Sequence, residues 1–208
     1  MFRPSLRRVR VPALLAALLA LALTVSPAAK AQTFTGSVNA DTNSISASPA
    51  GPGLTFTPTL VDTGLDVVAG DRITGTATGT WVISGNDPIT DANGQIGRTA
   101  GPWWVSSLLG QISDSGPYQY HAGGATPEDV EARTFFLGSS FDLIAGSTGR
   151  LYLAFNDTDY GNNEGSVNVS LAVTSATVPE PSAGALALLC LLPLLLCRAA
   201  VRSRASSR

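Results

Sequence analysis

Between residues 32 and 177 the 208-residue chain has no cysteine, no lysine and a single histidine, His121. Without thiols this stretch can form no disulfide and perform no cysteine chemistry, so its stability must come from packing or bound ions. One histidine and no cysteine leave zinc without its usual ligands. A histidine-based triad would rest on one residue in an aperiodic stretch beside two glycines, a setting typical of a solvated surface side chain. Positive charge is scarce too: Arg72, Arg98, Arg133 and Arg150 stand against fourteen Asp and Glu, a net charge of −10. That balance excludes nucleic acid and anionic membrane surfaces as partners, because both need clustered Lys and Arg. It suits cations and uncharged glycans. No helical stripe and no solenoid-length repeat is visible.

The nine other basic residues sit at the two ends. Arg3, Arg7, Arg8 and Arg10 precede an apolar run over 11–25, and Ala29-Lys30-Ala31 follows as a small-x-small site. This order reads as a secretory signal peptide over 1–31, cut by signal peptidase between Ala31 and Gln32. At the other end, Pro179-Glu180-Pro181 leads into an apolar run over 183–197, closed by Arg198, Arg202, Arg204 and Arg208. Both cysteines, Cys190 and Cys197, lie in that run. The expectation is a single hydrophobic helix that stops export, with the body outside the cytoplasm and the arginines inside. This end resembles the PEP-CTERM sorting signal of Gram-negative bacteria. The resemblance implies processing by an exosortase, transient inner-membrane anchoring, and delivery to the cell surface or an exopolysaccharide matrix.

What lies between is β-rich in composition, with abundant Gly, Ser, Thr, Asn and Asp. Residues 32–59, rich in small polar residues and proline, read as an extended N-terminal arm or an edge strand. From residue 60 to 177 short strands follow one another. Residues 72–84 place Ile73, Ala77, Trp81 and Ile83 on one face and Thr74, Thr76, Thr78 and Thr80 on the other. Residues 166–174 alternate as cleanly, with Val167, Val169, Leu171 and Val173 inward. Residues 104–112, 134–137, 141–144 and 150–156 are further strands, and 116–133 is a long loop. The fold expected is all-β, an antiparallel jelly-roll-like sandwich.

The stretch NDTDYGNNEGS, residues 156–166, gathers the most oxygen-bearing side chains. Asp157, Asp159, Asn162 and Asn163 supply the carboxylate and amide oxygens that Ca²⁺ takes six to eight of, and Gly161 and Gly165 let the backbone curl around them. The helix-loop-helix calcium pattern does not fit, since Gly161 and Asn162 are out of register with it. The plainer alternative is a hairpin turn, which uses the same residue types.

The segments DTGLDVVAGDRITGTATGTWV, LLGQISDSG, FFLGSS, GRLYLAFND and YGNNEGSVNVSL together are similar to the PA-IL-like, galactose-binding bacterial lectins. That family is a small jelly-roll sandwich whose calcium bridges protein and sugar hydroxyls. The resemblance implies that Asp157, Asp159, Asn162 and Asn163 are metal ligands, completed by a backbone carbonyl near Ser84. It assigns sugar contacts to Asp157 and Asn162. The lectin's second sugar loop carries a His-Pro-Asp-Gln stretch; here Asp91 and Asn93 are the candidates to replace it. The chain departs from the family in a loop two residues shorter and in Asp159, where the lectin has Thr.

The expected function is therefore a non-catalytic, exported, Ca²⁺-dependent carbohydrate-binding module acting on extracellular polysaccharide. Two alternatives stand beside it: a structural component of the matrix, and a polysaccharide hydrolase using two of the fourteen acids.

Overall fold

The computed structural model describes residues 31–176 except 50, 53–55, 123 and 124. Of the stretch 1–31, read as a signal peptide, all but Ala31 lies outside these residues, as does Pro179-Glu180-Pro181, read as a sorting motif. Two four-stranded antiparallel sheets and a two-stranded ribbon make up the domain. The first sheet has the order β1 (Ala31–Asn39), β10 (Glu164–Thr174), β3 (Arg72–Val82), β8 (Ser140–Ile144). The second has the order β2 (Val61–Val67), β9 (Gly149–Phe155), β6 (Leu108–Ser113), β7 (Thr134–Phe136). The ribbon pairs β4 (Thr99–Ala100) with β5 (Trp103–Trp104). One five-residue helix, α1 (Pro127–Glu131), sits within the expected long loop, started by a Thr126–Asp129 capping box with proline in its first turn.

The alternating faces point into the space between the sheets. Ile73, Ala77, Trp81 and Ile83 from β3 and its end, and Val167, Val169, Leu171 and Val173 from its neighbour β10, are all buried. They pack on Leu151, Leu153 and Phe155 of the facing sheet. Gly79 and Gly165 bring β3 and β10 together near one end of the sandwich, where Gly79 opposes Val167 and Gly165 opposes Trp81. Both have left-handed backbones, φ +125° and +89°, and a Cβ on either would strike the backbone of the neighbouring strand.

One expectation is corrected here. Among the described residues no helix is long and apolar enough to cross a membrane. The C-terminal hydrophobic helix, and with it transient inner-membrane anchoring and membrane contact, is therefore not upheld; the run over 183–197 lies outside those residues. The physical reason is length, since fifteen residues of helix reach only about 22 Å, short of a ~30 Å hydrocarbon core. Residues 32–59, read as an extended arm or an edge strand, begin with an edge strand of the first sheet. Strand β1 pairs with β10 along its whole length, from Ala31↔Thr174 to Asn39↔Ser166, and Val38, Ala40 and Ile45 are fully buried. Its small side chains are those an edge strand tolerates.

Replacing Gly165 with alanine should lower thermal stability by more than ~1 kcal/mol, through left-handed strain and the collision with the Thr80 carbonyl. Gly146, which has nothing within 4 Å of an added Cβ, is the control. Denaturant melts of Gly165→Ala and Gly146→Ala should separate the two, with the second near wild type.

Candidate functional site

Residues 156–163 leave β9 in one sheet and enter β10 in the other. The segment is therefore a crossing between sheets and not a hairpin turn, since β9 pairs with β2 and β6 while β10 pairs with β1 and β3. Its base is fixed by Trp81 and Asn156. Trp81 stacks edge-on against Phe155, ring centroids 4.6 Å apart at 71°, and its Nε1 donates to the carbonyls of Ser106 at 2.6 Å and Asp91 at 3.1 Å. The Nδ2 of Asn156 donates to the carbonyls of Ala100, Trp103 and Trp104, at 3.2, 3.3 and 2.8 Å. The β4–β5 ribbon is thereby tied to the start of the loop.

The far side of the loop rests on residues 43–49, which run beside it. Phe155 and Ile45 exchange backbone bonds with this segment: Ile45 N donates to Phe155 O at 2.8 Å, and Phe155 N donates to Asn43 O at 2.9 Å. Ser46 Oγ donates to Thr158 O at 2.8 Å and Ser44 Oγ to Asp159 O at 3.4 Å. Tyr160 is buried, with its hydroxyl donating to Phe56 O at 2.6 Å and its backbone N to Ser48 O at 2.9 Å. Gly161, at φ +95°, supplies the left-handed turn within this braced loop.

Within this frame Asp157, Asp159 and Asn163 converge. Asp157 is 4% exposed and Asn163 5% exposed. Asp157 Oδ1 accepts the Thr158 N–H at 2.7 Å. Asn163 Nδ2 donates weakly to the carbonyls of Ala40 and Asp159, at 3.3 and 3.4 Å. The other oxygens, Asp157 Oδ2 and Asn163 Oδ1, are buried and accept no hydrogen bond. Burial pushes the Asp157 carboxyl up to about 7, the neighbouring Asp159 pushing the same way, while the Thr158 N–H, Asn163 and Arg98 pull it down. Asp159 is raised as well, chiefly by burial. Orphaned buried acceptors beside a second carboxylate are costly unless a proton or a cation completes them. This oxygen set suits a hard cation such as Ca²⁺. Among the described residues no three His, Cys, Asp or Glu side chains gather as a metal group, so two carboxylates, amides and carbonyls would have to do the work.

The remaining expected site residues fall differently. Asn162 follows on the same loop with its side chain exposed. The Ser84 carbonyl accepts from Asp87 N at 2.9 Å and its hydroxyl donates to Asp87 Oδ2 at 2.8 Å, closing a local turn. Asp91 accepts from Asn93 N and Nδ2, and Asn93 Nδ2 also donates to Ser139 Oγ at 2.8 Å. These bonds spend both side chains on holding their own loop, and none joins them to Asp157. Two contributors escaped sequence reasoning. Arg98, paired with Asp87 at 2.8 Å, is near enough to help hold both loop carboxyls ionised. The Ser44–Ser46 shelf belongs to the stretch read as an arm.

No protein-family model matches the chain, and no curated protein matches it. Among solved structures, one described as the EclA N-terminal domain, a PllA-like lectin, is similar to it with TM-score 0.42 and 20% identity, over 67% of this chain and 95% of that one. A likeness of that size carries no argument about ligands.

A carboxyl raised from 3.8 to about 7 binds a proton more tightly folded than unfolded. Its contribution to stability is thus present at low pH and lost as pH rises through that window. In EDTA, the melting temperature of wild type should fall between about pH 4 and pH 7 relative to Asp157→Asn, whose amide removes this slope. Parallel curves would show that Asp157 does not titrate there.

Proposed function

We propose that the domain is a Ca²⁺-dependent carbohydrate-binding module whose cation sits on Asp157, Asp159 and Asn163, with Asn162 at its open side. The observation that carries this reading is the pair of buried, unpartnered oxygens, Asp157 Oδ2 and Asn163 Oδ1, held on a braced crossing. A cation there would answer both acceptors at once and relieve the repulsion between Asp157 and Asp159. A hard cation in a shallow, oxygen-lined loop keeps coordination positions open, and vicinal hydroxyls of a sugar are suited to fill them. The exposed Asn162 amide offers a further donor and acceptor toward such a ligand. The acidic body and lack of clustered basic residues fit a glycan in place of a nucleic acid.

Because the cation competes with the proton on Asp157, its stabilising effect should grow as pH rises. Thermal unfolding in millimolar CaCl₂ against EDTA, at pH 8, should show a clear upward shift for wild type. A ligand at a hundredfold excess over Kd stabilises by about 2.7 kcal/mol. Asp157→Ala and Asn163→Ala should lose that shift, and EDTA should abolish retention on immobilised glycans. Equal shifts in wild type and both variants would refute the cation site. Glycan retention that survives EDTA would refute its role in binding.

A further inference from the structure

Beside the crossing loop lies a cleft of about 270 Å³ that the cation reading leaves unexplained. Its size is just below that of typical small-molecule sites, ~300–1,000 Å³, and gives room for about one sugar ring. Ser46, Asp157 and Thr158 form one side; Gly101, Tyr120, His121 and Glu131 line the rest. The cleft therefore shares Asp157 with the candidate cation site but draws its other walls from the 118–131 segment.

Those walls are built to stay in place. Tyr120 is stitched to the same shelf that braces the loop, its N donating to Ile45 O at 3.0 Å and its O accepting from Ala47 N at 2.9 Å. Its hydroxyl donates to Glu131 Oε1 at 3.2 Å, which fixes the carboxylate at the rim and leaves Oε2 free to accept. Gly101, at φ +61°, lets the ribbon turn approach so closely that a Cβ would stand 2.8 Å from the Tyr120 hydroxyl. His121 is held at φ +64°, a left-handed conformation unusual outside glycine, directly after Tyr120.

With Asp157 given to the cation, Glu131 is the carboxylate left to the cleft, and no Arg or Lys lines it. Glu131 has no salt-bridge partner among the described residues. A carboxylate fixed by a phenol hydroxyl is a receptor for a primary ammonium, which donates a charge-assisted hydrogen bond to it. The same arrangement repels a uronate, sulfate or phosphate group. We propose that this cleft selects a glycan bearing a free amino group, a hexosamine unit that is not acetylated, with Glu131 receiving the ammonium and Tyr120 orienting Glu131. The proposal rests on the carbohydrate-binding reading and assigns the selectivity to residues outside the cation loop.

The test uses the full-length protein in millimolar CaCl₂ and four methyl glycosides of one configuration: glucosaminide, N-acetylglucosaminide, glucoside and glucuronide. Titration calorimetry should show the glucosaminide bound about tenfold tighter than the glucoside or the N-acetyl form, and the glucuronide not bound. Glu131→Gln should remove the preference while keeping the Ca²⁺-induced thermal shift, because Glu131 lies outside the cation cluster. Tyr120→Phe should weaken it partly, and Glu131→Gln decides alone if that variant fails to fold. Equal binding of amino and neutral sugars, a preference that survives Glu131→Gln, or binding of none of the four overturns the proposal. If the amine preference holds but Ca²⁺ gives no shift, the cleft stands and the cation site falls.

Discussion

The indole of Trp81 is the constraint on which the site end of the sandwich depends. It is almost fully buried, so its apolar surface contributes to the core, while its N–H must find an acceptor or pay for desolvation. It meets both demands by stacking on Phe155, the last residue of β9, and donating to the carbonyls of two loops. One side chain thus joins the first sheet, the second sheet and the 91–106 region. With Asn156 bound to three carbonyls beside it, the next residue, Asp157, starts from a fixed point. One oxygen of that carboxylate, Oδ2, is held buried without a donor, which needs surroundings this rigid.

Polar satisfaction is uneven across the domain, and the unevenness has a location. Surface arginines are paired conventionally, Arg72 with Asp142 and Arg150 with Asp62 and Asp66. Exposed pairs of this kind contribute little. Among the described residues, five of the seven unsatisfied side-chain atoms belong to the crossing and the segment bonded to it, on Asp157, Asn163, Asn156, Ser106 and Ser107; the other two are on Asp41 and Thr90. Local conflict of this sort, set in an otherwise consistent fold, is the pattern expected where a protein keeps room for a ligand.

Sequence periodicity was most informative where a strand has two unlike faces. The Thr face opposite Ile73, Ala77 and Trp81 in β3, and the alternating valines of β10, could be read directly. Strand β1 could not, because its partner lies more than a hundred residues away and its own side chains are small. The chemistry of Asp157, Asp159 and Asn163 was visible in their types and spacing, but whether their loop turns back or crosses between sheets is set by pairings of the flanking strands. Asp91 and Asn93 show the limit from the other side. They are the same residue types, yet the side chain of Asp91 caps the backbone of Asn93, and Asn93 ties the turn to Ser139. Arg98 and the Ser44–Ser46 shelf approach the loop only in three dimensions, so no spacing announces them.

The pairing of β1 with β10 joins the first described strand to the last. On the ribosome, β1 emerges early and has no partner until nearly the whole domain has been made. Its edge, and the 43–49 shelf that follows, must wait unpaired while the intervening strands appear. Contacts so far apart in sequence make for slow closure. The oxygen cluster, with Asn163 resting on the carbonyl of Ala40, is consequently among the last features to assemble. A chain truncated before residue 164 would lack β10, and β1 would have no strand to pair with.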